Sequence, residues 1–169
     1  LSHQRVFIFG DHVDTDRIIP GKYTKTLDRK ALARHVFEDV DPEFGQKVKP
    51  GDLVVAGHNF GCGSSREQAA LAIKEAGVAA VIARSFARIF FRNAINIGLP
   101  LMEVQDHTIA ADSLLEYDLS RGFLRDQRQN KEYATHPIPP FLAAIIAAGG
   151  LVPYMRANGG YADSRPLGT

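Results

Sequence analysis

The run Asn59-Phe60-Gly61-Cys62-Gly63-Ser64-Ser65-Arg66-Glu67 brings two hydroxyls, a thiol and a guanidinium together around two glycines, just ahead of a predicted helix. Glycine lets the backbone turn sharply or approach a ligand closely. At the start of a helix the free N–H groups and the positive end of the dipole converge, so a carboxylate or phosphate is favoured there. Arg66 can grip a carboxylate through two parallel N–H bonds, and the hydroxyls of Ser64 and Ser65 can donate, accept or, once deprotonated, act as a base. A second reading stands beside this one. Ser64 followed by Glu67 also matches a capping box, in which the serine serves only the stability of the helix. Two familiar motifs are absent: the run has neither the lysine and glycine spacing of a phosphate-binding loop nor a Gly-x-Ser-x-Gly elbow.

The remaining reactive residues form no comparable group. Asp14 and Asp16 flank a threonine and read as cap and turn formers rather than a metal pair. The six histidines, His3, His12, His35, His58, His107 and His136, show no ligand spacing and are expected at surface or loop positions. No metal site is expected on this chain. Arg84, Arg88 and Arg92 recur at four-residue spacing, as a solvated or interface stripe of a helix does. Cys62 is the single cysteine, so an internal disulfide is excluded and an iron–sulfur cluster cannot be built from this chain alone.

The elements that must position these residues alternate. Arg5–Phe9 reads as a first strand, followed by a long loop through Asp14, Asp16, Pro20 and Gly21 to Asp28, and a connection of that length usually belongs to a functional site. Asp28 is a candidate N-cap for a helix over Arg29–Phe37. Leu53–Ala56 is a short apolar strand that leads into the glycine run and a helix from Ser65 or Arg66 to Glu75, closed by Gly77. Val78–Ala83 is a second buried strand, and Phe86–Ile95 returns to helical spacing, which completes a βαβ pattern. Beyond Gly98 the short runs Leu101–Val104, Thr108–Ala110, Leu115–Leu119 and Gly122–Leu124 suggest a β-rich second layer. Pro139 and Pro140 open a last helix, Phe141–Ala148, which Gly149 and Gly150 stop. One domain over residues 1–155 and a flexible tail over 156–169 are expected.

Composition narrows the partners. The 169 residues are 45% hydrophobic and 23% charged, ordinary values for a globular domain. A formal charge of +1 from 20 basic and 19 acidic residues leaves no basic field for nucleic acid. Apolar stretches such as Phe141–Val152 are too short to span a membrane, and no secretory signal pattern opens the chain, so a cytoplasmic protein is expected.

A longer pattern surrounds the glycine run. Gly57-His58 precedes it and Gln68-Ala69 follows; Asp14-Thr15-Asp16-Arg17-Ile18-Ile19-Pro20 lies upstream; Ala83-Arg84-Ser85-Phe86-Ala87-Arg88-Ile89-Phe90, Asn93-Ala94-Ile95-Asn96-Ile97-Gly98-Leu99-Pro100 and Gly149-Gly150-Leu151-Val152 lie downstream. This pattern, from Val6 to about Met155, is similar to the swivel domain of the aconitase superfamily. In length, and in lacking cluster cysteines, the chain resembles the separate small subunits of the 3-isopropylmalate dehydratase and homoaconitase family. The resemblance implies an α/β fold of the three-layer, swivelling β/β/α type. It implies that Ser64 is an alkoxide base taking a proton from a carbon next to a carboxylate, that Arg66 binds a substrate carboxylate, and that Ser65, Gly63 and Asn59 complete the substrate site. It also implies a large subunit carrying a 4Fe-4S cluster, a small di- or tricarboxylic hydroxy acid as substrate, and no activity for either chain alone.

The loop Pro20–Thr26 matches the family segment near the substrate's variable group. Tyr23, Thr24 and Lys25 therefore become substrate-binding candidates, although Thr24 stands where a leucine is usual. Isopropylmalate-type members carry an apolar residue near Lys25 and homoaconitate-type members an arginine, so Lys25 either meets the substrate or is merely solvated. Isomerisation of 2-isopropylmalate to 3-isopropylmalate in leucine biosynthesis is the leading expectation. A homoaconitase of lysine biosynthesis, a broader malate-type hydro-lyase and a non-catalytic carboxylate-binding module are the alternatives.

Overall fold

The computed structural model describes residues 4–159. Four strands, β1 (Val6–Ile8), β2 (Leu53–Ala56), β3 (Ala80–Ala83) and β4 (Leu101–Glu103), form a parallel sheet in the order of the chain. Leu53 lies between Val6 and Ala80, and Ile82 pairs with Met102. All residues of β2 and β3 are buried, because this sheet is covered on both faces and each residue meets one layer or the other.

The crossovers carry α1 (Thr15–Ile18), α2 (Arg29–His35), α3 (Phe44–Lys47), α4 (Glu67–Glu75) and α5 (Arg88–Ile97). Same-handed crossovers between sequential strands bring every helix to one face. There Val54, Ala56, Val81 and Ala83 pack with Leu32, Phe37, Phe44, Ile73 and Phe90. The alternate residues Leu53, Val55, Ala80 and Ile82 point the other way and meet a small antiparallel sheet of β5 (Leu115–Asp118), β6 (Phe123–Asp126) and β7 (Lys131–Ala134) through Leu115, Leu124 and Tyr133. The architecture is thus the β/β/α stack expected from the sequence. Two further helices, α6 (Pro140–Ala147) and α7 (Leu151–Ala157), pack on α5. Among the described residues no single helix is long and apolar enough to cross a membrane.

Some elements differ from expectation. The long first loop contains α1 and a 3₁₀ turn at Gly21–Tyr23. Thr108–Ala110 is not a strand: Thr108 N donates to the Tyr133 hydroxyl (3.1 Å) and Ala110 N to Ser113 Oγ (2.9 Å), so side chains satisfy amides that a ladder would otherwise hold. Strand β7 escapes a reading by periodicity because only Tyr133 on it is buried. Helix α7 continues two residues past position 155, and residues 160–169 of the expected tail lie outside the described residues.

Candidate active site

The glycine run leaves the carboxyl end of β2, the end at which open parallel sheets bind ligands. Neighbouring strand ends fix its path. Gly57 N donates to Gly10 O (3.1 Å), His12 N to His58 O (2.8 Å) and Gly61 N to Val13 O (2.8 Å), while Phe60 N donates to Ser85 O (3.0 Å) from the β3 side. Asn59 has φ 58° and donates its amide to Ser85 Oγ at 2.7 Å. Its side chain lies 3.3 Å from His12 Nδ1. Asp11 accepts the His58 amide at 2.7 Å, and that bond holds its carboxyl below the usual carboxylate range.

Gly61 has φ 83° and faces Phe90 so closely that an added Cβ would lie 2.2 Å from the ring. Gly63 has φ 93°, and an added Cβ would make only ordinary contact, 3.5 Å, with Asp14 Cβ and Thr15 Oγ1, so its requirement is conformational. Ser64 follows and is exposed. Thr15, buried on α1, donates its hydroxyl to Ser64 O at 3.0 Å, and its Oγ1 lies 3.4 Å from Ser64 Oγ. With the threonine proton committed to the carbonyl, the Ser64 hydroxyl is the available donor in the second contact. The Thr15 amide also donates to Cys62 O at 2.9 Å.

Ser64 does not cap α4. The N-cap is Arg66, which makes no side-chain capping bond. Within the described residues the amides of Gly63, Ser64, Ser65 and Arg66 donate to no acceptor. They form a cluster of free N–H groups at the positive end of a helix, beside an exposed hydroxyl. The capping-box reading is therefore not how this helix begins.

Arg66 is held on two sides. Its guanidinium pairs with Asp16, and its Nη1 donates to Ile19 O at 3.4 Å. The Gly21 backbone packs against the same group, since an added Cβ there would lie 3.5 Å from Nη2. Gly21 thus joins the loop of Tyr23, Thr24 and Lys25 to Arg66. None of those three side chains makes a hydrogen bond to the glycine run: the Tyr23 ring stacks on His35 (4.0 Å between centroids), Thr24 Oγ1 donates to Gly21 O (2.8 Å), and Lys25 is exposed. Ser65 is exposed as well.

Asp14 accepts the Arg17 amide as the N-cap of α1, the role expected of it. Asp16 as partner of Arg66 and Thr15 as partner of Ser64 are site residues that residue types alone do not single out; the Asp14-Thr15-Asp16 segment carried the only signal. Arg84 leaves the expected helical stripe and donates to Gln105 O (2.7 Å) and His107 O (2.6 Å). His107 is no surface residue: it is 6% exposed, and its Nε2 lies 2.9 Å from Ala56 O. His3 lies outside the described residues.

A cleft of about 570 Å³ borders the run, lined by Asn59, Gly61, Gly63, Phe86, Arg88 and Arg92 among others. A larger one, about 880 Å³, lies at the opposite end of the sheet near Arg5, Asp52 and Arg128. Among the described residues no group of three or more His, Cys, Asp or Glu side chains could hold a metal ion. One thiol does not fit a 4Fe-4S cluster.

Comparison with known proteins gives a consistent picture. Residues 38–106 match the family model of the aconitase C-terminal domain. The chain is 54% identical to the 3-isopropylmalate dehydratase small subunit of Thermodesulfovibrio yellowstonii, over 90% of this chain and 92% of that one. It is 53% identical to the protein of the same name from Nautilia profundicola, with the same two coverages. The crystal structure of 3-isopropylmalate dehydratase from Methanocaldococcus jannaschii superposes with a TM-score of 0.86 at 47% identity, covering 92% of this chain and 93% of that one.

Proposed function

Because this chain belongs to the family of 3-isopropylmalate dehydratase small subunits, we propose that Ser64 is the base of a hydro-lyase and that Arg66 and the neighbouring amides hold the substrate carboxylate. The activity is that of its relatives, isomerisation of isopropylmalate in leucine biosynthesis. In chemical terms Ser64 Oγ takes a proton from the substrate carbon next to a carboxylate, and hydroxide leaves the adjacent carbon. Water then returns with its hydroxyl and hydrogen on exchanged carbons.

A serine hydroxyl is a weak acid, so its charged form needs preorganised donors. The observation that carries the reading is the exposed Ser64 hydroxyl on a loop whose amides at 63–66 are uncommitted. A carboxylate seated on those N–H groups and on Arg66 places its α-carbon beside Ser64 Oγ. Asp16 holds Arg66 until the substrate carboxylate shares the guanidinium.

Removal of a hydroxyl leaving group asks for more than this chain holds. In our reading the large subunit supplies the rest, including the 4Fe-4S cluster that Cys62 cannot hold by itself. With a cluster-loaded large subunit, Ser64→Ala should lower kcat by ~10³-fold or more, as loss of a unique base does. Its melting temperature should stay within about 2 °C of the parent, because Ser64 is exposed and caps nothing. Retention of more than a tenth of the parent rate would remove Ser64 from the mechanism.

A further inference from the structure

Arg88 and Arg92 stand one turn apart on α5, both exposed, with Ile89 between them 51% exposed. Among the described residues neither guanidinium donates a hydrogen bond or meets a carboxylate, whereas Arg66 and Arg84 are both tied down. Like charges four residues apart on a helix repel, and α5 begins at Ala87 with no side-chain cap, so the same turn also carries the positive pole of the helix. The arginines border two adjoining grooves: the cleft with Asn59, Gly61 and Gly63, and an apolar one of about 500 Å³ with Phe86, Phe91, Ile95 and Leu142, edged by Glu103. The result is an apolar centre flanked by uncompensated positive charge, immediately beside a reactive loop that is open to solvent.

We propose that this turn is the seat of the large subunit, with acidic groups of the partner meeting Arg88 and Arg92 and an apolar side chain covering Ile89. The inference rests on the two-subunit reading above and adds where the partner docks and by what chemistry. Arginine beside a desolvated apolar centre is the composition of interface hot spots, and complementary charge sets both pairing and encounter rate. Seated there, the partner closes over the cleft lined by Gly61 and Gly63, the residue that precedes the serine.

The test uses the full chain with a cluster-loaded large subunit, comparing the parent with R88E/R92E and the milder R88Q/R92Q. Association is read by sedimentation and by titrating the small subunit to half-maximal turnover of isopropylmalate. The half-saturating concentration should rise roughly 100-fold for R88E/R92E and less for R88Q/R92Q, while kcat at saturation stays within about threefold. Raising the salt concentration should weaken the parent complex more than the charge-reversed one. Unchanged association overturns the proposal, and so does a higher KM or a lower kcat at unchanged association, since the arginines would then face the substrate. It is equally overturned if the small subunit alone forms dimers that R88E/R92E dissociates. Ser64→Ala should associate normally without turnover. A parent pair that associates but leaves isopropylmalate untouched sinks the catalytic reading and leaves the docking result standing.

Discussion

Gly61 illustrates how one residue can hold the candidate site together. Its φ of 83° is strained for any residue with a Cβ, and that Cβ would fall 2.2 Å from the Phe90 ring, itself only 2% exposed and stacked in the helix-side core. Gly61→Ala must therefore both strain the backbone and push the ring, at a cost of about 2–4 kcal/mol. The expected outcome is a melting temperature lower by roughly 5–10 °C and a loss of activity that persists well below the new melting point, because the chain between Asn59 and Ser64 is displaced. A variant as stable and as active as the parent would show that the loop does not need this close approach. Residue types made the serine and the arginine conspicuous from the start. The committed proton of Thr15 and the Asp16 partner of Arg66 were not legible in the same way, since both contacts link segments about fifty positions apart.

At the scale of elements, the carboxyl ends of β2 and β3 are clamped by a buried histidine. His107 Nε2 donates to Ala56 O, the last carbonyl of β2, while Arg84 holds Gln105 O and His107 O in place. Burial pushes the His107 pKa below its ordinary value, the bond to Ala56 opposes that only in part, and Arg84 and His58 add positive charge nearby. Its Nδ1 is buried with no partner among the described residues, so a second proton would create an N–H with nowhere to donate. The sign follows. Above the unfolded value of about 6.5 both states are neutral and the contribution is complete. Below it the unfolded chain takes up a proton that the native state refuses, and stability falls until the depressed native pKa is reached. Urea midpoints should therefore drop from pH 7.5 to pH 5, and His107→Gln, which keeps a donor for Ala56 O, should flatten that slope. Parallel pH dependences in the two proteins would rule the clamp out as its origin. Strand β2 and the helix from Arg29 lie where apolar runs and the Asp28 cap put them, whereas 108–110 forms no strand because the Thr108 amide goes to the distant Tyr133 hydroxyl and the Ala110 amide to the nearby Ser113 Oγ.

Across the whole molecule, the parallel sheet is shared by two cores, so neither covering layer has an independent reason to persist when it opens. Ile82, fully buried on the face toward β5–β7, is a direct probe of this coupling. Ile82→Ala should cost about 2–5 kcal/mol and shift far-UV helix loss and the near-UV signal of Tyr117 and Tyr133 by the same amount, in one transition. Two separated transitions would show that the antiparallel sheet folds apart from the helical face. The strand-loop-helix that displays the glycine run was available from residue types and spacing, because it depends on neighbours a few positions apart, whereas the β/β/α class and the role of Ser64 as a base entered as what the family resemblance implies. Which amides stay free, that Arg66 rather than Ser64 opens α4, that His107 is buried, and that Arg88 and Arg92 stand beside the cleft without carboxylate partners among the described residues were decided only by the fold. Those features depend on which strand ends and loops meet in space, and local sequence carries no record of distances between segments that come together only when the sheet is assembled.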